Sequence, residues 1–209
     1  MQCVASVGDP QYIQDAVSAG ADAIELRLDL FPQGCTPEQV PGLARCPLPL
    51  IITVRSRQEG GNFRGTPDDW WTRVLPWLEY AAFVDIEQQF SMLAPPILDI
   101  GSEVIASFHS GRMLTELELG AVSARLRAYG IPKLVVRPGN PDDVITLCAF
   151  TNHAKKPIIT SIIGAKYRYT RAMLPLFGSA MAFAYAGAAT AEGQFPIQEM
   201  KQILSILCD

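Results

Sequence analysis

The chain has 209 residues, 49% of them hydrophobic, and a formal net charge of −4. That length is enough to bury one sizeable core, so a single catalytic domain spanning residues 1–209 is expected. The mildly acidic balance carries no basic footprint, which argues against nucleic acid or an anionic membrane surface and leaves a small-molecule substrate as the expected partner.

Short apolar, β-branched runs alternate along the chain with longer amphipathic ones. A strand over Gln2–Val7 is followed, after the turn Gly8-Asp9-Pro10, by a helix over Pro10–Ala19. A strand over Ala23–Asp29 leads through Thr36-Pro37 to a helix over Pro37–Ala44, and a strand over Leu50–Arg55 leads through Thr66-Pro67 to a helix over Asp68–Glu79. Next come strand Phe83–Glu87 with helix Ser91–Leu98, strand Val104–His109 with helix Leu114–Tyr129, and strand Lys133–Val136 with helix Pro141–Asn152, entered at Asn140-Pro141. Strand Pro157–Ile162, helix Arg171–Leu176, strand Ala180–Tyr185 and helix Ile197–Leu207 complete the series.

Strict strand and helix alternation implies a parallel sheet wrapped in helices, either closed as a barrel or open and doubly wound. Eight repeats favour a (β/α)8 TIM barrel, compact because 209 residues leave roughly 26 per unit. A doubly wound nucleotide fold would also want a Gly-rich turn after its first strand, and Ser6-Val7-Gly8-Asp9-Pro10 is not one. The five cysteines are odd in number and lack the close paired spacing of a zinc or redox motif, so reduced structural thiols are expected. The first residues lack a signal-peptide pattern and no apolar run reaches the ~18 residues of a membrane span, which makes the cytoplasm the expected location.

Charges at alternate positions in otherwise apolar strands carry the chemical signal. In the second strand a period of two puts Glu25, Arg27 and Asp29 on one face and Ile24, Leu26 and Leu28 on the other. The split recurs with Thr53 and Arg55, with Asp85 and Glu87, with Ser107 and His109, and with Lys133 in the sixth strand. A barrel strand is buried on both faces, so the apolar side should meet the helices and the charges should point inward. Buried unpaired charges cost several kcal/mol each, so this ring needs mutual pairing or a ligand. Its members fall toward the C-terminal strand ends, where barrel enzymes keep their sites.

With only two histidines, His109 and His153, a zinc centre is not expected, and His153 beside Lys155 and Lys156 reads as solvated. A magnesium site built on Glu25, Asp29, Asp85 and Glu87 would be neutralised by the interleaved Arg27 and Arg55. A barrel-interior lysine is different: desolvation and a nearby Arg55 or Arg171 would favour the neutral amine, a nucleophile toward ketones. His109, on the neighbouring strand, is the natural proton carrier for Lys133.

These residues resemble the type I 3-dehydroquinate dehydratases. The matching segments are Ile24-Glu25-Leu26-Arg27-Leu28-Asp29, Thr53-Val54-Arg55-Ser56 with Glu59-Gly60-Gly61, His109, Ile131-Pro132-Lys133, Arg171 with Phe177-Gly178-Ser179, and Ala191-Glu192-Gly193-Gln194. The resemblance implies a hydro-lyase of the shikimate pathway that needs neither cofactor nor metal, in which Lys133 forms a Schiff base with the substrate ketone. It further implies that His109 moves the protons, that Glu59 orients His109, and that Glu25, Arg27, Arg55, Arg171, Thr190 and Gln194 bind 3-dehydroquinate. Arg171 would take the carboxylate, with Arg168 as a second candidate, and relatives suggest a homodimer.

The chain departs from the family in three places. It begins at its first expected barrel strand, so the N-terminal hairpin that closes the floor in many relatives is expected to be missing. Tyr167-Arg168-Tyr169-Thr170 stands where a smaller Gly- and Ser-containing pattern is expected, and Thr190-Ala191-Glu192 where Ser-Ala-Pro is typical. A Schiff-base aldolase on a similar barrel, or a barrel that only binds, are the alternative readings.

Overall fold

The computed structural model describes residues 1–208. Its eight strands are β1 (Gln2–Val7), β2 (Ala23–Arg27), β3 (Leu50–Thr53), β4 (Ala81–Glu87), β5 (Glu103–His109), β6 (Ile131–Val136), β7 (Ile159–Ile162) and β8 (Met181–Ala186). They form one parallel sheet in the order β7-β6-β5-β4-β3-β2-β1-β8. Because β1 pairs with both β2 and β8, the last strand is brought back beside the first and the sheet curls into a nearly closed barrel. The two ends of that order, β7 and β8, meet without a ladder. Near their starts, Ala180 N–H donates to the Ile158 carbonyl at 2.8 Å, and the Ser179 hydroxyl accepts from Thr160 N–H at 3.0 Å.

The helices are α1 (Ile13–Ser18), α2 (Pro67–Val74), α3 (Ala94–Asp99), α4 (Glu116–Arg127), α5 (Pro141–His153), α6 (Thr170–Met173) and α7 (Ile197–Cys208). No helix among the described residues is long and apolar enough to cross a membrane. Side-chain caps start the longer ones: Thr66, Thr115 and Asn140 accept the N–H groups of Asp69, Glu118 and Asn140's partner Asp143, whose carboxylates answer the cap N–H.

The alternation predicts more α-helix than forms, and proline accounts for most of the difference. In place of the helix expected over 37–44, two single 3-10 turns form, Pro37–Gln39 and Leu43–Arg45, because Pro41 withholds a donor and Gly42 turns left-handed at φ 79°. The helix expected to Glu79 is α-helical only to Val74 and tightens to 3-10 geometry around Pro76, and the one expected over 171–176 tightens likewise at Pro175. Residues 10–12 and 88–93 are also 3-10 turns that lead into α1 and α3.

Outward-facing Ile24, Leu26, Ile52, Val84 and Ile86 are sealed beneath Trp70, Val74 and Ile97, each fully buried aliphatic side chain contributing about 1.5–3 kcal/mol. Inside the barrel, Val4, Ala23, Ile51, Ile105, Ile159, Met181 and Phe183 form a separate apolar layer. That layer is the floor on which the polar residues sit.

Candidate active site

Above the floor, two residues further along each strand, the interior turns polar, as the period of two requires. Glu25 accepts from the Ser6 hydroxyl at 2.5 Å and the Thr53 hydroxyl at 3.0 Å. Lys133 reaches across from β6: its Nζ lies 2.8 Å from Asp85 Oδ2, 3.5 Å from Glu25 Oε1 and 3.9 Å from the centre of the Phe183 ring. The arginine expected beside this amine, Arg55, is present but one carboxylate removed, on the other oxygen of Asp85 at 2.8 Å. Nζ is therefore paired with carboxylates, which corrects the expectation of arginine neighbours.

Arg55 is the hub of the network. Its guanidinium also meets Glu87 Oε1 at 3.0 Å, Ser107 Oγ at 3.0 Å and Glu59 Oε2 at 3.3 Å. Burial works against the charges of Glu25, Arg55 and Asp85, and pairing overrides it. Lys133 and Arg27 hold Glu25 below the ordinary carboxylate range, and Arg55 with Lys133 holds Asp85 far below it. Arg27 is clamped on both sides by Asp29, at 2.9 and 2.8 Å, and Asp29 also accepts the backbone N–H groups of Arg55 and Asn62.

Glu59 leaves its 3-10 turn (Arg57–Glu59) directed at β5, because Gly60 adopts φ 88° and Gly61 folds back onto Arg55. Its Oε2 lies 2.8 Å from His109 Nδ1 and 3.1 Å from the His109 backbone N–H. With Nδ1 donating to the carboxylate, Nε2 is left as the free lone pair. Burial, reinforced by Arg55 and Lys133, holds His109 well below 6.5, so the ring is neutral at physiological pH. Burial also pushes the Glu59 carboxyl up to about 8, against the pull of Arg55.

The opposite wall is cationic. Arg171 donates to Ser161 Oγ at 3.3 Å and to the Glu192 carbonyl at 3.2 Å, yet among the described residues no carboxylate is paired with it and its buried Nε has no partner. Burial and the neighbouring Arg168 lower it to about 10. Arg168 itself lies over the Phe195 ring at 3.8 Å, behind the wall. The loop after β8 folds over this side: Gln194 Oε1 accepts from Thr190 N–H, Thr190 Oγ1 and Ala191 N–H, and Arg27 donates to the Thr190 carbonyl at 3.2 Å.

Glu25, Arg27, Arg55, Glu59, His109, Lys133, Arg171, Thr190 and Gln194 all line one cavity of about 280 Å³. His153 lies apart, at the end of α5. Sequence reasoning gave no role to Asp85, the direct partner of Lys133, although its inward position in β4 was visible. It also passed over Arg137 and gave no role to Glu192, which line the same cavity and pair with each other at 3.0 Å. Arg137 follows β6 directly, the same kind of strand-end position that singled out the other charges. Among the described residues, no group of three or more His, Cys, Asp or Glu side chains is arranged to hold a metal ion.

A parallel barrel whose C-terminal mouth encloses a buried lysine, a neutral histidine held by a carboxylate, and an arginine without a carboxylate partner defines a class: a (β/α)8 barrel built to take a small anion. The chain belongs to the type I 3-dehydroquinase family, whose model matches residues 9–208. It is 44% identical over 212 residues to 3-dehydroquinate dehydratase of Methanoregula boonei, with 99% of this chain and 100% of that protein covered. It is 32% identical to the enzyme of that name from Methanospirillum hungatei, over 99% of this chain and 81% of that one. The fold is also that of the solved 3-dehydroquinate dehydratase from Aquifex aeolicus, with a TM-score of 0.86 at 23% identity, covering 100% of this chain and 99% of the other.

Proposed function

We propose that this protein is a type I 3-dehydroquinate dehydratase, a hydro-lyase that converts 3-dehydroquinate to 3-dehydroshikimate and water through an imine on Lys133. One observation carries the reading: the Lys133 amine, the His109–Glu59 pair and the carboxylate-free Arg171 line a single cavity of about 280 Å³. Each group supplies one requirement of the reaction.

Arg171 receives the substrate carboxylate, since a buried guanidinium without an anion gains most from a bidentate one. That fixes the ring with its ketone toward Lys133, while Glu25, Arg27 and Arg55 meet the hydroxyl groups. The amine adds to the ketone, and loss of water gives an iminium that withdraws electrons from the adjacent carbon. His109 Nε2 takes a proton from that carbon, and the resulting imidazolium is stabilised by Glu59 at 2.8 Å. The enamine then expels the hydroxyl group, protonated by His109, and hydrolysis of the imine frees both product and lysine. The ring proton and the hydroxyl group leave together as water, so the reaction needs no cofactor or metal. The expected setting is the cytoplasm, as a homodimer, in the shikimate route to aromatic amino acids.

Incubation with 3-dehydroquinate should produce the conjugated enone absorbance, and borohydride added during turnover should leave a covalent adduct that mass spectrometry maps to Lys133. Absence of both, or an adduct that persists in Lys133→Ala, sinks the proposal.

A further inference from the structure

The gap in the sheet between β7 and β8 is stapled near the strand starts by Ser179 and Ala180, which bond to β7 and its lead-in. At the other end of the barrel, over the cavity, the same gap is crossed by one residue of the loop after β8. The Glu192 carbonyl accepts from Gly164 N–H at 3.2 Å and from Arg171 at 3.2 Å. Its carboxylate accepts from Ala165 N–H at 3.3 Å and from Arg137, just past β6, at 3.0 Å. One side chain and its carbonyl thus tie the loops after β6, β7 and β8 to one another.

We propose that Glu192 and Arg137 form a latch that holds the loop after β8 closed over the bound substrate, and that Glu192 is a positioning residue for Arg171. The substrate in this statement rests on the dehydratase reading; the latch itself does not.

Three observations support it. Arg171 has two hydrogen-bond partners, Ser161 and the Glu192 carbonyl, so lifting the loop removes half of what orients the guanidinium. The turn is shaped for close approach: Gly193 adopts φ 81°, and a Cβ there would lie 2.1 Å from the Gly164 carbonyl oxygen. The ion pair is solvent-accessible, with side chains 43% and 54% exposed, so it can break and re-form without stranding a buried charge. An exposed pair of this kind contributes little to folding but suffices to shift a loop between closed and open states by about two- to fivefold.

The test uses the full chain and the variants Glu192→Gln, Arg137→Gln and the double variant. The glutamine retains an oxygen for Ala165 N–H and removes only the ionic contact. Hydrogen exchange of the ligand-free protein, read on the peptide covering residues 163–169, should be about two- to fivefold faster in each single variant. KM for 3-dehydroquinate should rise by a similar factor without loss of kcat, since opening also speeds release. The double variant should be no worse than either single one, because both remove the same contact. Unchanged exchange in the single variants, or effects that multiply in the double variant, overturn the latch. Faster exchange in a protein that makes no enone supports the latch and sinks the dehydratase reading instead.

Discussion

Replacing Glu59 by Gln isolates the carboxylate behind His109 with almost no change of shape. The glutamine oxygen can still accept from His109 Nδ1, so what is lost is the negative charge facing the imidazolium formed when the ring takes a proton. Two unit charges at 2.8 Å in a site of effective dielectric ~20 attract by about 6 kcal/mol. The retained hydrogen bond and the removal of a buried charge return part of this, leaving a cost of about 2–4 kcal/mol, or roughly 30- to 1,000-fold in kcat. The assay is the enone absorbance followed above about pH 8, where the Glu59 carboxyl has released its proton. Borohydride capture at Lys133 should remain close to normal, because the amine is held by Asp85 and Glu25 rather than by Glu59. A variant within threefold of the parent in kcat, or one that loses imine capture as fully as turnover, refutes the role given to Glu59.

The same substitution has a signature in stability. A carboxyl raised from 4.5 to about 8 binds its proton more tightly in the folded chain, so it costs stability as pH rises through that window. Chemical denaturation at either end of the window should show this decline in the parent and not in Glu59→Gln. Below the ordinary carboxylate range the sign reverses: Glu25, Asp29 and Asp85 are all lowered, so their stabilisation is present above about pH 4 and lost as they protonate, giving steep acid unfolding. Arg171→Met should raise KM about 10- to 100-fold with a much smaller change in kcat, the loss expected for a charge-assisted carboxylate contact, checked by steady-state kinetics. Gly193→Ala should force the loop off Gly164, since its Cβ has no room, and should raise KM more than any conservative change elsewhere in that loop.

The strands and the inward charges were legible because period two in a doubly buried strand leaves no other reading. Glu25, Thr53, Asp85, Ser107 and Lys133 lie where the alternation puts them. What sequence could not supply were partners. Which oxygen of Asp85 takes Lys133 and which takes Arg55 depends on the tilt of β4 against β6, strands that are not neighbours in the sheet. Arg137 and Glu192 are separated by 55 residues and meet only because β6 and the loop after β8 are carried to the same rim. The helices were overread for a local reason: the proline that marks a helix start at position 67 tightens the chain at positions 76 and 175, and composition alone does not distinguish the two.

The hub at Arg55 constrains how this site can change over generations. One guanidinium meets Asp85, Glu87 and Glu59 at once, so replacing it would leave buried Glu87 without a basic partner and Asp85 with Lys133 alone. Any one of those carboxylates, by contrast, can become its amide and leave the arginine two partners. The order of substitution therefore matters: a lineage can thin the carboxylates first and the arginine afterwards, whereas the reverse path passes through a variant with an unpaired buried carboxylate. Of the cavity-lining residues, Arg55 is the one whose replacement depends most on changes already made elsewhere.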